Sequence, residues 1–170
     1  MNNPLLRIDG LKTYFHTEDG TVRAVDGVSL AVERGKTLGI VGESGSGKSV
    51  MAYSILRLLP ESVADIKEGA VEWIGEKGRV DLVKLPIEEL PHYRGGDIAM
   101  IFQEPMTSLN PVFKCGKQVA ESIVFHKGAS WEEAWKRGTE LLDEVGIPMP
   151  ERRMNQYPHE LSGGMKQRVM

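Results

Sequence analysis

Apolar positions along this chain follow two different periods. Leu5, Leu6 and Ile8 open a short strand-like run. Residues 25–32 alternate through Val28, Leu30 and Val32 before a polar turn at Glu33, Arg34, Gly35 and Lys36, and such alternation puts one face of a strand on a core. Residues 37–41 are apolar without alternation, which predicts a strand covered on both faces. Helical spacing then runs from Lys48 to Leu59, with Pro60 predicted to stop it. Residues 70–74 and 80–83 predict a hairpin, Pro86 begins a short helix closed by Gly95 and Gly96, and residues 98–102 predict a second buried strand.

From Pro105 onward the spacing is helical. Val119, Ile123 and Phe125 mark one helix. Ser130 with Glu133 three residues later forms a capping-box pattern at the start of the next. Its predicted apolar stripe is Trp131, Trp135, Gly138, Leu142 and Val145, with both tryptophans expected to pack between helices, and Gly146 and Pro148 close it. Leu161, Ser162, Gly163 and Gly164 read as one more helix start.

Composition narrows the class. The 170 residues are 41% apolar and 26% charged, with 21 basic and 24 acidic side chains and a net charge of −3. This suits one domain with a real core and excludes disorder, collagen and coiled coil. No basic surplus exists, so no nucleic-acid partner is expected. The lone Cys115 excludes an internal disulfide, and His16, His92, His126 and His159 are scattered singly, so packing or surface roles are expected rather than a metal site. The N-terminal residues lack a cationic flank followed by an apolar run. The most apolar helical stretch, 51–59, is far shorter than the roughly 20 residues of a bilayer span. A soluble, cytosolic chain with no anchor of its own is expected.

The 19 glycines are in excess, and several fall in two motifs. Gly42, Glu43, Ser44, Gly45, Ser46, Gly47, Lys48 and Ser49 match the phosphate-loop pattern in the strand-before, helix-after context it requires. The glycines permit a tight turn whose successive N–H groups converge on one anion, and the following helix adds its positive end. Lys48 would reach the β- and γ-phosphates and the Ser49 hydroxyl would hold Mg²⁺, so ATP and Mg²⁺ are the expected cofactors, with Val50 also among the binding positions. Gln103 follows the second apolar strand, at the strand end where ligands of α/β sheets gather, and its amide can ligate Mg²⁺ or orient a water. Leu161, Ser162, Gly163 and Gly164 combine a hydroxyl, two unhindered amides and a helix start into a second phosphate site.

Residues 161–168 resemble the signature motif of ABC (ATP-binding cassette) ATPases. The order phosphate loop, glutamine loop, helical segment, signature is similar to an ABC nucleotide-binding domain over essentially the whole chain. The resemblance implies an α/β P-loop NTPase fold. Residues 1–104 would be an ATP-binding core of RecA type with an antiparallel β subdomain, and residues 105–170 a helical subdomain ending in the signature. It also implies a head-to-tail dimer with a second ATP-binding subunit, in which the signature of one subunit caps the γ-phosphate held by the loop of the other. Lys48 and Gln103 become the catalytic residues, with Gln103 sensing the γ-phosphate and Mg²⁺ while its loop touches a transmembrane permease. An aromatic should stack on adenine: Phe15 by register from Leu11, with Tyr14 the neighbouring choice and ordinary strand packing the alternative for both.

Residues 103–111, Met165 and residues 22–28 look like the oligopeptide/dipeptide importer ATPases, whose relatives also serve nickel and glutathione uptake. The implied function is the ATP-hydrolysing subunit of an importer that energises peptide uptake. It would lie peripherally on the cytoplasmic face of the membrane, with a substrate-binding protein as an indirect partner. A DNA-repair or chromosome-maintenance ABC ATPase is disfavoured, because the segment between Gln103 and Leu161 holds neither heptads nor paired cysteines. A non-catalytic nucleotide-binding module is the other alternative.

The family also requires an apolar strand ending in Asp-Glu after the signature helix, and farther on a histidine that contacts the γ-phosphate. Neither lies within these 170 residues, and His159 precedes the signature. The chain is therefore expected to be the N-terminal part of a longer domain, without steady ATP turnover of its own. Residues 38–41 should be left partly uncovered and the fold marginal in stability.

Overall fold

The computed structural model describes residues 4–76, 78–102 and 108–170. They form two compact units, divided between Ile98 and Ala99.

In the first unit two long strands, β1 (Pro4–Thr17) and β2 (Gly20–Glu33), lead to the helix α1 (Lys48–Ile55). The strands β3 (Ala64–Gly75) and β4 (Gly78–Asp81) follow. The sheet order is β2-β1-β3-β4 and every pairing is antiparallel. In β1–β2 the register sets Leu6 against Val32, Ile8 against Leu30 and Leu11 against Val28, so the alternating apolar positions share a face. That face supplies Ile8, Leu11, Val25 and Val71 to a core completed by Met51 of α1 and by Leu82.

The hairpin of β3 and β4 stands where the alternation put it, and β1, β2 and β3 extend beyond their apolar runs. The two strands expected to be buried on both faces are not assigned to the sheet. Among the described residues, 37–41 and 99–102 lie outside any ladder, and Ile98 makes one isolated bridge, to Arg94. Val41 is 97% and Ile101 93% exposed, with Leu38 and Ile40 also exposed. An apolar run becomes a strand only through lateral hydrogen bonds, and this sheet pairs neither segment.

Helix α1 also ends earlier than Pro60. Arg57 takes a left-handed φ of 49°. The Arg94 guanidinium donates to the carbonyl of Leu56 at 2.7 and 3.0 Å and to that of Arg57 at 2.9 Å. These bonds satisfy the last carbonyls from outside the helix, so the chain turns before the proline. The short helix expected from Pro86 is a single 3₁₀ turn, Leu90–His92.

The second unit is helical: α2 (Cys115–Lys127), α3 (Trp131–Glu144), α4 (Pro150–Met154) and α5 (Gly163–Val169). The capping box is present, with the Glu133 amide donating to Ser130 Oγ at 3.3 Å and the Ser130 amide to Glu133 Oε2 at 2.9 Å. The buried residues of α3 are Ala134, Gly138 and Leu142: Gly138 and Leu142 stand inward as the predicted stripe has them, and Ala134 joins them. Trp131 at the first helical position is 50% exposed and Val145 is also exposed, so only Trp135 of the two tryptophans packs on the core. On α2 the inward positions are Cys115, Gly116 and Ala120, and Phe125 points to solvent. Burial pushes the Cys115 thiol pKa up, as suits a packing residue. Leu142, Ile147, Met154, Leu161 and Met165 complete this core.

Candidate nucleotide-binding site

The phosphate loop joins residues 37–41 to α1 and is shaped by its own glycines. Gly45 and Gly47 have φ of 81° and 85°, and Gly47 is the N-cap of α1. A Cβ on Gly47 would lie 2.2 Å from the carbonyl oxygen of Ala24 in β2, so only glycine fits between loop and sheet. Within the loop the Ser46 amide donates to Glu43 O at 3.2 Å. No side chain among the described residues caps α1, and its first turn holds no acidic residue. Its positive end therefore remains open to an external anion.

Lys48 reaches back over the loop. Its ammonium donates to Gly42 O at 2.7 Å, to Glu43 O at 2.6 Å and to Ser46 Oγ at 3.1 Å. A cation folded over a glycine turn, at an uncapped helix start, suits a polyphosphate. Such a group would offer Lys48 charge-assisted bonds in place of neutral carbonyls. Ser44 and Ser49 are exposed and Val50 is half-buried. The loop thus gathers Gly42, Ser44, Gly45, Ser46, Gly47, Lys48, Ser49 and Val50 in one place. The part played by Ala24 carries no sequence signal, because only its backbone oxygen takes part.

Tyr14 and Phe15 are both half-buried on β1. Tyr14 donates from its hydroxyl to Asp26 Oδ1 at 2.9 Å, which together with partial burial raises its phenol pKa, and the Arg23 guanidinium lies 5.6 Å from its ring centre. Phe15 stands between Val22 of β2 and Ala64 of β3. Gln103 lies outside the described residues.

The signature residues belong to the second unit. Leu161 is buried, while Ser162, Gly163 and Gly164 are exposed at the start of α5. Ser162 is the N-cap and accepts from the Met165 amide at 3.4 Å, which leaves its hydroxyl proton free to donate outward. Among the described residues no group of three or more His, Cys, Asp and Glu could hold a metal, and no helix is long and apolar enough to cross a membrane.

The pattern of the ABC transporter family matches residues 25–170. This chain belongs to that family. As an ABC transporter chain it is 50% identical over 166 residues to the oligopeptide transport ATP-binding protein OppD of Bacillus subtilis (strain 168), covering 98% of this chain and 45% of OppD. It is 50% identical over 168 residues to the glutathione import ATP-binding protein GsiA of Salmonella typhimurium, covering 98% of this chain and 27% of GsiA. The chain thus spans less than half the length of either relative. Among solved structures, the dimeric bacterial ABC transporter cassette MJ0796 superposes with a TM-score of 0.78 at 30% identity, covering 96% of this chain and 66% of that one. MJ0796 bound to ADP and Pi after hydrolysis matches with a TM-score of 0.75 at 28% identity. The fold is that of an ABC nucleotide-binding domain, with the antiparallel β and helical parts described above.

Proposed function

We propose that this chain is the ATP-binding part of an ABC importer subunit that energises peptide uptake across the cytoplasmic membrane. The observation that carries the reading is the phosphate loop: a glycine-only cradle against Ala24, with Lys48 folded over an uncapped helix start. The relatives named for oligopeptide and glutathione import support the substrate class, with peptide favoured by the likeness at residues 103–111.

In this reading residues 1–104 hold the nucleotide and residues 105–170 present the signature. Lys48 exchanges its loop carbonyls for the β- and γ-phosphate oxygens and neutralises charge there. The amides of Gly45, Gly47 and the start of α1 hold the same oxygens. Ser49, with Gln103, supplies oxygens for Mg²⁺, which when bound offsets the charge of the phosphates. Phe15 stacks on adenine in preference to Tyr14, because Arg23 already lies over the tyrosine ring. Leu161, Ser162, Gly163 and Gly164 act on the nucleotide of a second subunit in a head-to-tail dimer. The remaining partners are transmembrane permease subunits and, through them, a substrate-binding protein. The chain then sits peripherally on the cytoplasmic face of the membrane.

Calorimetric titration of the chain with MgATP tests this. Lys48→Ala removes the only cation in the loop, and a charge-assisted hydrogen bond is worth about 1.5–3 kcal/mol. Affinity should therefore fall roughly 10- to 150-fold. Equal binding by the unaltered chain and Lys48→Ala, or no binding by a folded unaltered chain, would defeat the proposal.

A further inference from the structure

The seven-residue helix α5 is too short to hold itself in water, so the signature at its start depends on what anchors it. On its apolar side Met165 and Val169 pack into the core with Leu142 and Ile147. Of its polar residues Lys166, Gln167 and Arg168, Arg168 reaches another element. Its Nη1 donates to Gly146 O at 2.5 Å and to Val145 O at 3.4 Å, the carbonyls of the two residues that follow α3. Its Nε donates to Gly164 O at 3.3 Å, within the signature itself.

We infer that Arg168 is a positioning residue for the signature. By capping the C-terminal end of α3 while gripping the Gly164 carbonyl, it holds Ser162 and the Gly163 and Gly164 amides at a fixed angle for the phosphate of a second copy's nucleotide. The arrangement suits arginine in particular. The α3 end carries the negative pole of a helix dipole, which a guanidinium complements. The planar fork also reaches two elements at once from fixed donor positions, which a lysine ammonium does not do. Among the described residues three backbone carbonyls and no carboxylate accept from it, so its charge stays uncompensated by them beside the loop that must meet an anion. The inference rests on the proposal that the signature acts across a dimer.

The test separates nucleotide binding, which uses the other unit, from self-association. MgATP affinity is measured by calorimetry and MgATP-driven dimerisation by sedimentation velocity, for the unaltered chain, Arg168→Ala, Arg168→Lys and Ser162→Ala. Arg168→Ala should bind MgATP within twofold of the unaltered chain, yet associate at least tenfold more weakly, with Arg168→Lys in between. Undiminished association of Arg168→Ala, while Ser162→Ala associates poorly, overturns the role of Arg168 and leaves the signature reading intact. Undiminished association of Ser162→Ala, or none by the unaltered chain, overturns both. A parallel loss of MgATP binding in Arg168→Ala shows a merely structural part and overturns the inference. Where Arg168→Ala fails to fold, the same outcomes are read from Arg168→Lys.

Discussion

Replacing Gly47 by alanine is the sharpest probe of how the phosphate loop is built. The residue sits at φ 85°, where an L-side chain costs about 1–2 kcal/mol. The new Cβ would also lie 2.2 Å from Ala24 O, about 1 Å inside an ordinary C···O contact. Forcing a group into such a site costs about 1–3 kcal/mol more. The total, about 2–5 kcal/mol, acts against the native loop geometry and predicts a loss of MgATP affinity of about 30-fold or more. Two controls divide the effect. Gly45 shares the left-handed backbone, with φ of 81°, but has nothing within 4 Å of its Cβ position, and Gly39 has neither constraint. Gly45→Ala should therefore lose about 5- to 30-fold, and Gly39→Ala almost nothing. Because the loop can shift without unfolding the sheet, melting temperature should move less than affinity. Calorimetry with MgATP and thermal melts on the three variants measure both. If Gly47→Ala binds within threefold of Gly45→Ala, the close approach to β2 has no bearing on the cradle and the reasoning fails.

The remaining predictions concern the helical unit and turnover. Ser130→Ala should destabilise the chain by about 1 kcal/mol through loss of the N-cap, read as a lower denaturant midpoint. The Ser130 hydroxyl, and then its backbone amide, hold the Glu133 carboxyl below the usual carboxylate range. Its stabilisation is therefore present at neutral pH and lost as pH falls through about 4.3 and below. The gap between the unaltered chain and Glu133→Gln should close there, and a gap that widens in acid would contradict the assignment. Gly116→Ala would set a Cβ 2.5 Å from Met154 O and 2.7 Å from Trp135 Cη2. It should lower the melting temperature by a few degrees despite the better helix propensity of alanine. No apolar strand ending in Asp-Glu follows the signature within these 170 residues. The chain by itself, free of longer protein, should show no steady Lys48-dependent phosphate release, and such release measured over many turnovers would refute the point.

Much of the candidate site was legible along the chain because its chemistry is local. The phosphate loop is eight consecutive residues whose glycines, lysine and serine act through their own backbone and short side chains. The structure keeps them together at the start of α1. The signature and the Ser130–Glu133 box are equally short-range. Legibility failed where a neighbour far along the chain decides. The inward face of α3 is set by Met154 and α2, so Trp131 turned outward and Ala134 inward. The end of α1 is set by Arg94, nearly forty residues on.

The sequence by itself therefore determined the family, the glycine turn before α1 and the starts of α1, α3 and α5, since each depends on residue types at fixed short spacing. Only the tertiary structure decided that residues 37–41 and 99–102 stay outside the sheet, that Gly47 must be glycine because Ala24 lies beneath it, and that Arg168 ties the signature to the end of α3. Those outcomes depend on contacts made to backbone groups far along the chain, and a carbonyl oxygen is the same at every residue, so no side-chain pattern announces which one will be there.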